Sequence, residues 1–117
     1  MSTSDTLDTL YDEAIELQQR GDWEGAVGKL HELLQQDPAY ALAHSALSVF
    51  YSRQEKYDEA IQHAQKVCEL EPEDPFSFTA LSLICQKAGR IPEAERALME
   101  ARRAQAAAWM KSQGEEA

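Results

Sequence analysis

Two cysteines and three histidines are the side chains of this 117-residue chain best suited to nucleophilic, redox or metal chemistry. Cys68 and Cys85 lie in different segments, in no CxxC spacing, each at an apolar position of a helical pattern. Both read as small buried hydrophobes, with a disulfide or redox pair as the alternative. His31, His44 and His63 fall in three separate segments, and His63 reads as an outer-face residue, so packing is a better account of them than metal ligation. The 21 carboxylates stand at outer-face positions, where they solubilise the chain. No HExxH, glycine-rich phosphate loop or EF-hand loop occurs, and no nucleophile is paired with a base. The expectation is a protein that is not an enzyme and needs no cofactor or metal.

The elements that hold these residues belong to one domain. Hydrophobic residues make up 44% of the chain and charged residues 27%, a globular balance large enough for one core. The net charge is −10 and the sequence pI about 4.6, which repels phosphate backbones and anionic lipid. Nucleic acid and membrane are therefore poor partners. No segment approaches the roughly 20 apolar residues that span a bilayer. The opening MSTSDTLDTL is too polar for a secretory signal, so the expected location is cytoplasmic, with reduced thiols.

Self-similarity sets the architecture. The tracts RGDWEGAVGKLHELLQQDP, RQEKYDEAIQHAQKVCELEP and KAGRIPEAERALMEARRAQA align, with Trp23, Tyr57 and Ile91 spaced by 34. Ala26, Ala60 and Ala94 keep the same spacing, as do Pro38 and Pro72. Apolar residues recur at helical intervals, Ala26, Leu30, Leu33 and again Ala60, Ala64, Val67. Asp74 before Pro75 predicts an N-cap and a first-turn proline, Pro92 a second such proline at N1, and Gly114 a C-cap.

This pattern resembles the tetratricopeptide repeat. The middle repeat matches best, through Leu47, Tyr51, Tyr57, Ala60 and Pro72. It departs where the turn glycine, present as Gly21 and Gly89, becomes Glu55, and where Leu10, His44 and Phe78 replace the first-helix tryptophan. The resemblance implies an all-α, right-handed α-solenoid of three helix hairpins with an extended C-terminal capping helix. Its parts are a leader over 1–6, repeats over 7–40, 41–74 and 75–108, and a capping-helix end and tail over 109–117.

The two ends differ from the middle. Ala43, Leu47 and Phe50 occupy positions facing a preceding repeat or the shared core, where repeat one has Thr9, Glu13 and Glu16. Val27 with Leu34, and Ile61 with Cys68, face a following repeat, where repeat three has Glu95 and Arg102. Both ends therefore read as polar caps of a complete three-repeat unit. Beyond Arg102 the stripe Ala94, Leu98, Ala101, Gln105, Ala108 and Trp109 predicts a capping extension with Trp109 folded back, the alternative being an exposed Trp109 that contacts a partner.

The resemblance also implies where function lies. In the family, positions 2, 5, 9, 12 and 13 of each repeat point into a concave groove. They fall here on Asp8, Tyr11, Ile15, Gln18 and Gln19; on Leu42, Ser45, Val49, Ser52 and Arg53; and on Phe76, Thr79, Leu83, Gln86 and Lys87. The apolar members suit an amphipathic helix or an extended apolar peptide. A carboxylate clamp would use positions that hold Tyr11, Ile15, Ala46, Phe76 and Ala80, none of which can pair with an anion. Charge is split. Residues 1–74 carry 16 acidic and 5 basic side chains, net −11, and residues 75–117 carry 5 and 6, net +1. The expected function is an adaptor that binds another protein. Alternatives are a self-assembling scaffold block, a homo-oligomer built on the charge split and the C-terminal helix, and a chaperone-like shield for an apolar segment.

Overall fold

The structure, a computed structural model, describes residues 3–116, with side chains described over 6–114. Six helices run in chain order: α1 (Thr3–Gln19), α2 (Trp23–Gln36), α3 (Ala41–Arg53), α4 (Tyr57–Leu70), α5 (Pro75–Lys87) and α6 (Ile91–Glu116). Among the described residues there is no strand. Helices adjacent in sequence pack on one another, so the chain forms three stacked hairpins, an all-α solenoid.

Each hairpin turns by the same backbone device. Asp22 N–H donates to Leu17 O at 2.8 Å and Gly21 N–H to Gln18 O at 2.9 Å. Lys56 to Tyr51 O with Glu55 to Ser52 O, and Arg90 to Cys85 O with Gly89 to Gln86 O, repeat that pair. These Schellman closures satisfy the last carbonyls of α1, α3 and α5 and require a left-handed residue. Gly21 and Gly89 supply it at φ 86° and 78°, and Glu55 adopts it at φ 62° although it carries a side chain.

Helix starts are specified locally. Asp22 caps α2 through its carboxylate, which accepts from Gly25 N–H at 2.9 Å. Asp74 caps α5, accepting from Phe76 N–H at 2.9 Å, and Pro75 follows in the first turn. Pro92 is the second residue of α6, one place later than expected; an amide lost there has no intrahelical partner anyway. Helix α1 begins at Thr3, inside the stretch expected to be a leader. Gly114 lies within α6 and has no left-handed φ, so it does not cap; the alanine-rich run before it sustains the helix.

The core has two parts. Leu7, Leu10, Ala14, Ala26, Leu30 and Leu33 pack with Ala43, Leu47 and Phe50 of α3, and Trp23 meets Phe50 edge-on at 5.3 Å. Ala60, Ile61 and Ala64 pack with Ile84, Cys85 and Ala94, and Tyr51 touches both groups. Small alanines at the crossings let the helices approach closely. The polar end of α1 matches expectation, with Thr9 and Glu16 exposed and Glu13 paired to Lys29 at 3.0 Å. The outer face of α6 does not match it. Glu95 and Arg102 are exposed, but so are Ile91, Met99, Trp109 and Met110.

Candidate functional site

The expected groove residues separate into two sets. On α1, Tyr11 and Ile15 are half-buried and pack against the core, Tyr11 lying 6.2 Å from the Tyr40 ring. Asp8 accepts a 2.5 Å hydrogen bond from the Tyr40 hydroxyl. Burial and the Asp8 carboxylate push Tyr40 up to about 12, so this link stays a phenol-to-carboxylate donor at any physiological pH. On α3 and α5 the apolar members stand out in solvent: Leu42 is 56% exposed, Val49 43%, Phe76 80% and Leu83 53%. Ser45, Arg53 and Lys87 are exposed beside them, Thr79 is half-buried, and Ser52 is buried. The exposed apolar surface is thus shifted from α1 toward α3 and α5.

Leu42, Ser45 and Phe76 rim a cleft of about 270 Å³ whose floor includes Ala64 and Val67 of α4. Glu71 and Asp74, in the turn after α4, form its lip. Nothing in the first-helix pattern pointed to α4, because its residues read as core when the repeat is taken alone. Both are indeed buried on the α4 side, yet the gap between α3 and α5 leaves the floor reachable.

The histidines, on three separate helices and read as packing residues in preference to metal ligands, converge. His44 Nε2 donates to the Pro38 carbonyl at 2.8 Å, which leaves His44 Nδ1 as an acceptor in the neutral ring. His63 Nδ1 lies 3.0 Å from that atom and donates to it. His31 approaches His63 with ring centroids 5.9 Å apart and bonds the Tyr51 hydroxyl at 2.9 Å, while Tyr51 stacks on His63 at 5.8 Å. Burial, then the His44 and His31 rings, push His63 down to about 4. His63 is therefore half-buried at the seam of the first two hairpins, not on an outer face. Among the described residues no group of three or more His, Cys, Asp or Glu is arranged to hold a metal ion.

With this geometry the comparison with known proteins is direct. The family model described as Tetratricopeptide repeat matches residues 11–76, more than half of the chain. The chain belongs to the tetratricopeptide-repeat family. No curated protein matches this sequence. Solved structures share the fold. A CopN–Scc3 complex superposes with TM-score 0.81 at 20% identity, covering 89% of this chain and 61% of that one. The second tetratricopeptide domain of Spaghetti (RPAP3), bound to an HSP90 peptide, gives 0.72 at 19%, covering 81% and 88%. The translocator chaperone SycD of Yersinia enterocolitica gives 0.78 at 25%, covering 89% and 79%. This chain spans about 61% of the length of the first of these.

Within the tetratricopeptide frame, the remaining candidates fall into place. Cys68 and Cys85 are free and buried, and burial pushes Cys68 up to about 11 and Cys85 upward as well, which suppresses the thiolate. Trp109 is 64% exposed and does not fold back on the last repeat. The buried stripe of α6 is Ala94, Ala97, Ala101 and Ala104, and it stops there because α5 is too short to reach further. Beyond it a cleft of about 540 Å³, lined by Pro72, Glu73, Ala107, Ala108 and Lys111, separates the helix end from the turn before α5. No described helix is long and apolar enough to cross a membrane.

Proposed function

We propose that this tetratricopeptide protein is a non-catalytic adaptor that captures a segment of another polypeptide along α3 and α5. The observation that carries the reading is the exposure of Leu42, Val49, Phe76 and Leu83 on helices whose other faces are already packed. Fully burying each such side chain is worth about 1.5–3 kcal/mol, enough to support binding after the losses of association are subtracted. An amphipathic helix or extended apolar peptide fits the strip, and hydroxyls at Ser45 and Thr79 with Arg53 and Lys87 at its margin would fix register. Relatives in fold include a domain bound to an HSP90 peptide, a CopN–Scc3 complex and a translocator chaperone, and they support capture of a protein segment as the use of this chain. A chaperone-like shield would use the same contacts. The clamp positions, filled by Tyr11, Ile15, Ala46, Phe76 and Ala80, favour internal apolar segments over a terminal carboxylate. The compartment proposed is the cytoplasm.

A charge in the strip tests the reading. Val49→Glu or Leu83→Glu removes apolar area and forces a carboxylate to be desolvated against the client. Each is expected to weaken a purified client, first recovered by affinity capture, at least about tenfold, or 1.4 kcal/mol. Thermal melts should change little, because both side chains are exposed. Gln62→Glu, on the exposed face of α4, should leave affinity unchanged. Unfolded Glu variants, or folded ones with full affinity, would contradict the assignment.

A further inference from the structure

The cleft between α3 and α5 has apolar walls at Leu42, Phe76 and Ala80 above its floor of Ala64 and Val67. Its buried hydroxyls and its carboxylates are all acceptors. Ser48, 4% exposed, donates its hydroxyl proton to the Ser45 carbonyl at 2.7 Å. Ser77, 7% exposed, donates its own to the Asp74 carboxylate at 3.3 Å. With both protons committed, these oxygens offer only lone pairs to the cleft. Asp74 also accepts from Phe76 N–H, and a carboxylate that takes two donors keeps room for more. Ser45, at the rim, is exposed and its hydroxyl rotates to suit.

Glu71 adds a second carboxylate at the lip. It is the C-cap residue of α4, whose last turn holds no basic residue, so it stands beside the negative end of that helix. Among the described residues no basic side chain forms an ion pair with Glu71 or Asp74. The cations of the strip, Arg53 and Lys87, lie in the last turns of α3 and α5, at its far end. An opening that is apolar along its walls and negative at its lip suits a group with an apolar stem and a donor-only, positive head. Lysine and arginine combine the two.

We propose that this cleft takes a basic side chain of the captured segment, its stem against Leu42 and Phe76 and its head at Glu71 and Asp74. This rests on the groove reading above and names the class of client. Leu42 and Val49 are two helical turns apart on α3, roughly 10 Å. The client is therefore an apolar segment with a lysine or arginine about that far from the residue that meets Val49.

Fluorescence anisotropy with leucine-faced helical peptides of about four turns tests this. They differ at one position, which holds arginine, its uncharged isostere citrulline, or glutamate, and each is made with that position at either end to sample both directions of docking. Wild type should bind the better arginine peptide at least about tenfold more tightly than its citrulline counterpart, as hydrogen bonds to a charged group allow, and the glutamate peptide most weakly. Glu71→Gln should bring arginine down toward the citrulline level. Asp74→Asn, which keeps a residue able to cap α5, should act in the same sense. Glu95→Gln removes the same charge from an exposed site on α6 and should leave the preference in place. Equal affinity for arginine and citrulline overturns the proposal, as does a preference that survives both cleft variants. A preference that Glu95→Gln lowers as much as Glu71→Gln overturns it too, because it then belongs to the field of the whole molecule. Val49→Glu scores the groove separately: equal binding of all peptides, lost on that variant, keeps the groove reading and ends this one. No binding of any peptide ends both.

Discussion

His63 sits between two other imidazoles, and each additional proton there sets donor against donor across the 3.0 Å contact with His44. Its folded-state value of about 4 lies below the ordinary 6.5, so between those values the unfolded chain binds more protons. Stability contributed by neutral His63 is therefore present above pH 6.5 and is lost as pH falls toward 4. Each unit is worth about 1.4 kcal/mol before screening, and half-burial reduces this to an expected loss of about 1–2 kcal/mol. Melting temperatures of wild type and His63→Gln across pH 7 to 4 should diverge in slope, the variant being the flatter; parallel curves would remove His63 from the account. The cysteines make an opposite, inert case. Cys85 is 1% exposed and Cys68 7%, so both should react with a thiol reagent only after denaturant is added, and rapid native labelling would contradict their burial. Their structural role was legible in the sequence from apolar helical spacing. The histidine cluster was not, because it depends on how three helices are rotated against one another, and one-dimensional spacing carries no such rotation.

Among the elements, the hairpin turns are where sequence and geometry disagree most usefully. All three close by the same pair of backbone bonds, yet the middle one places Glu55 at φ 62° where its counterparts have glycine. A left-handed non-glycine residue costs roughly 1–2 kcal/mol, partly offset by the extra unfolded-chain entropy that glycine brings. Glu55→Gly should therefore stabilise the fold by about 0.5–1 kcal/mol, read as a melting point higher by a few degrees. An unchanged or lower melting point would mean that the Glu55 side chain compensates for the strain. The departure from the turn glycine was visible in the 34-residue alignment, and so were the buried stripes of α2 and α4, because both are periodic properties. The fate of α6 was less legible. Alanine packs and solvates almost equally well, so AQAAAW does not say where burial ends; only the 13-residue length of α5 decides that. The same length leaves Trp109 in solvent instead of folded back.

At the scale of the whole molecule, the solenoid packs one face of its first helices against its second helices and leaves Leu42, Val49, Phe76 and Leu83 of α3 and α5 uncovered. The sequence pattern located that strip through Leu42, Val49, Phe76 and Leu83, but it also enlisted Tyr11 and Ile15, which Tyr40 and the first core draw inward. It did not anticipate the cleft floor on α4, since Ala64 and Val67 read as core in any single repeat. The charge split, net −11 over residues 1–74 and +1 over 75–117, orients approach without choosing a partner. The central claim is that polypeptide docks on the α3–α5 strip, and methyl NMR on the client complex tests it most directly. Adding a saturating client should move the methyl signals of Leu42, Val49 and Leu83, while those of Leu30 and Leu33, fully buried in the core, stay in place. Shifts confined to α6 around Met110, with the three strip residues unmoved, would contradict the account.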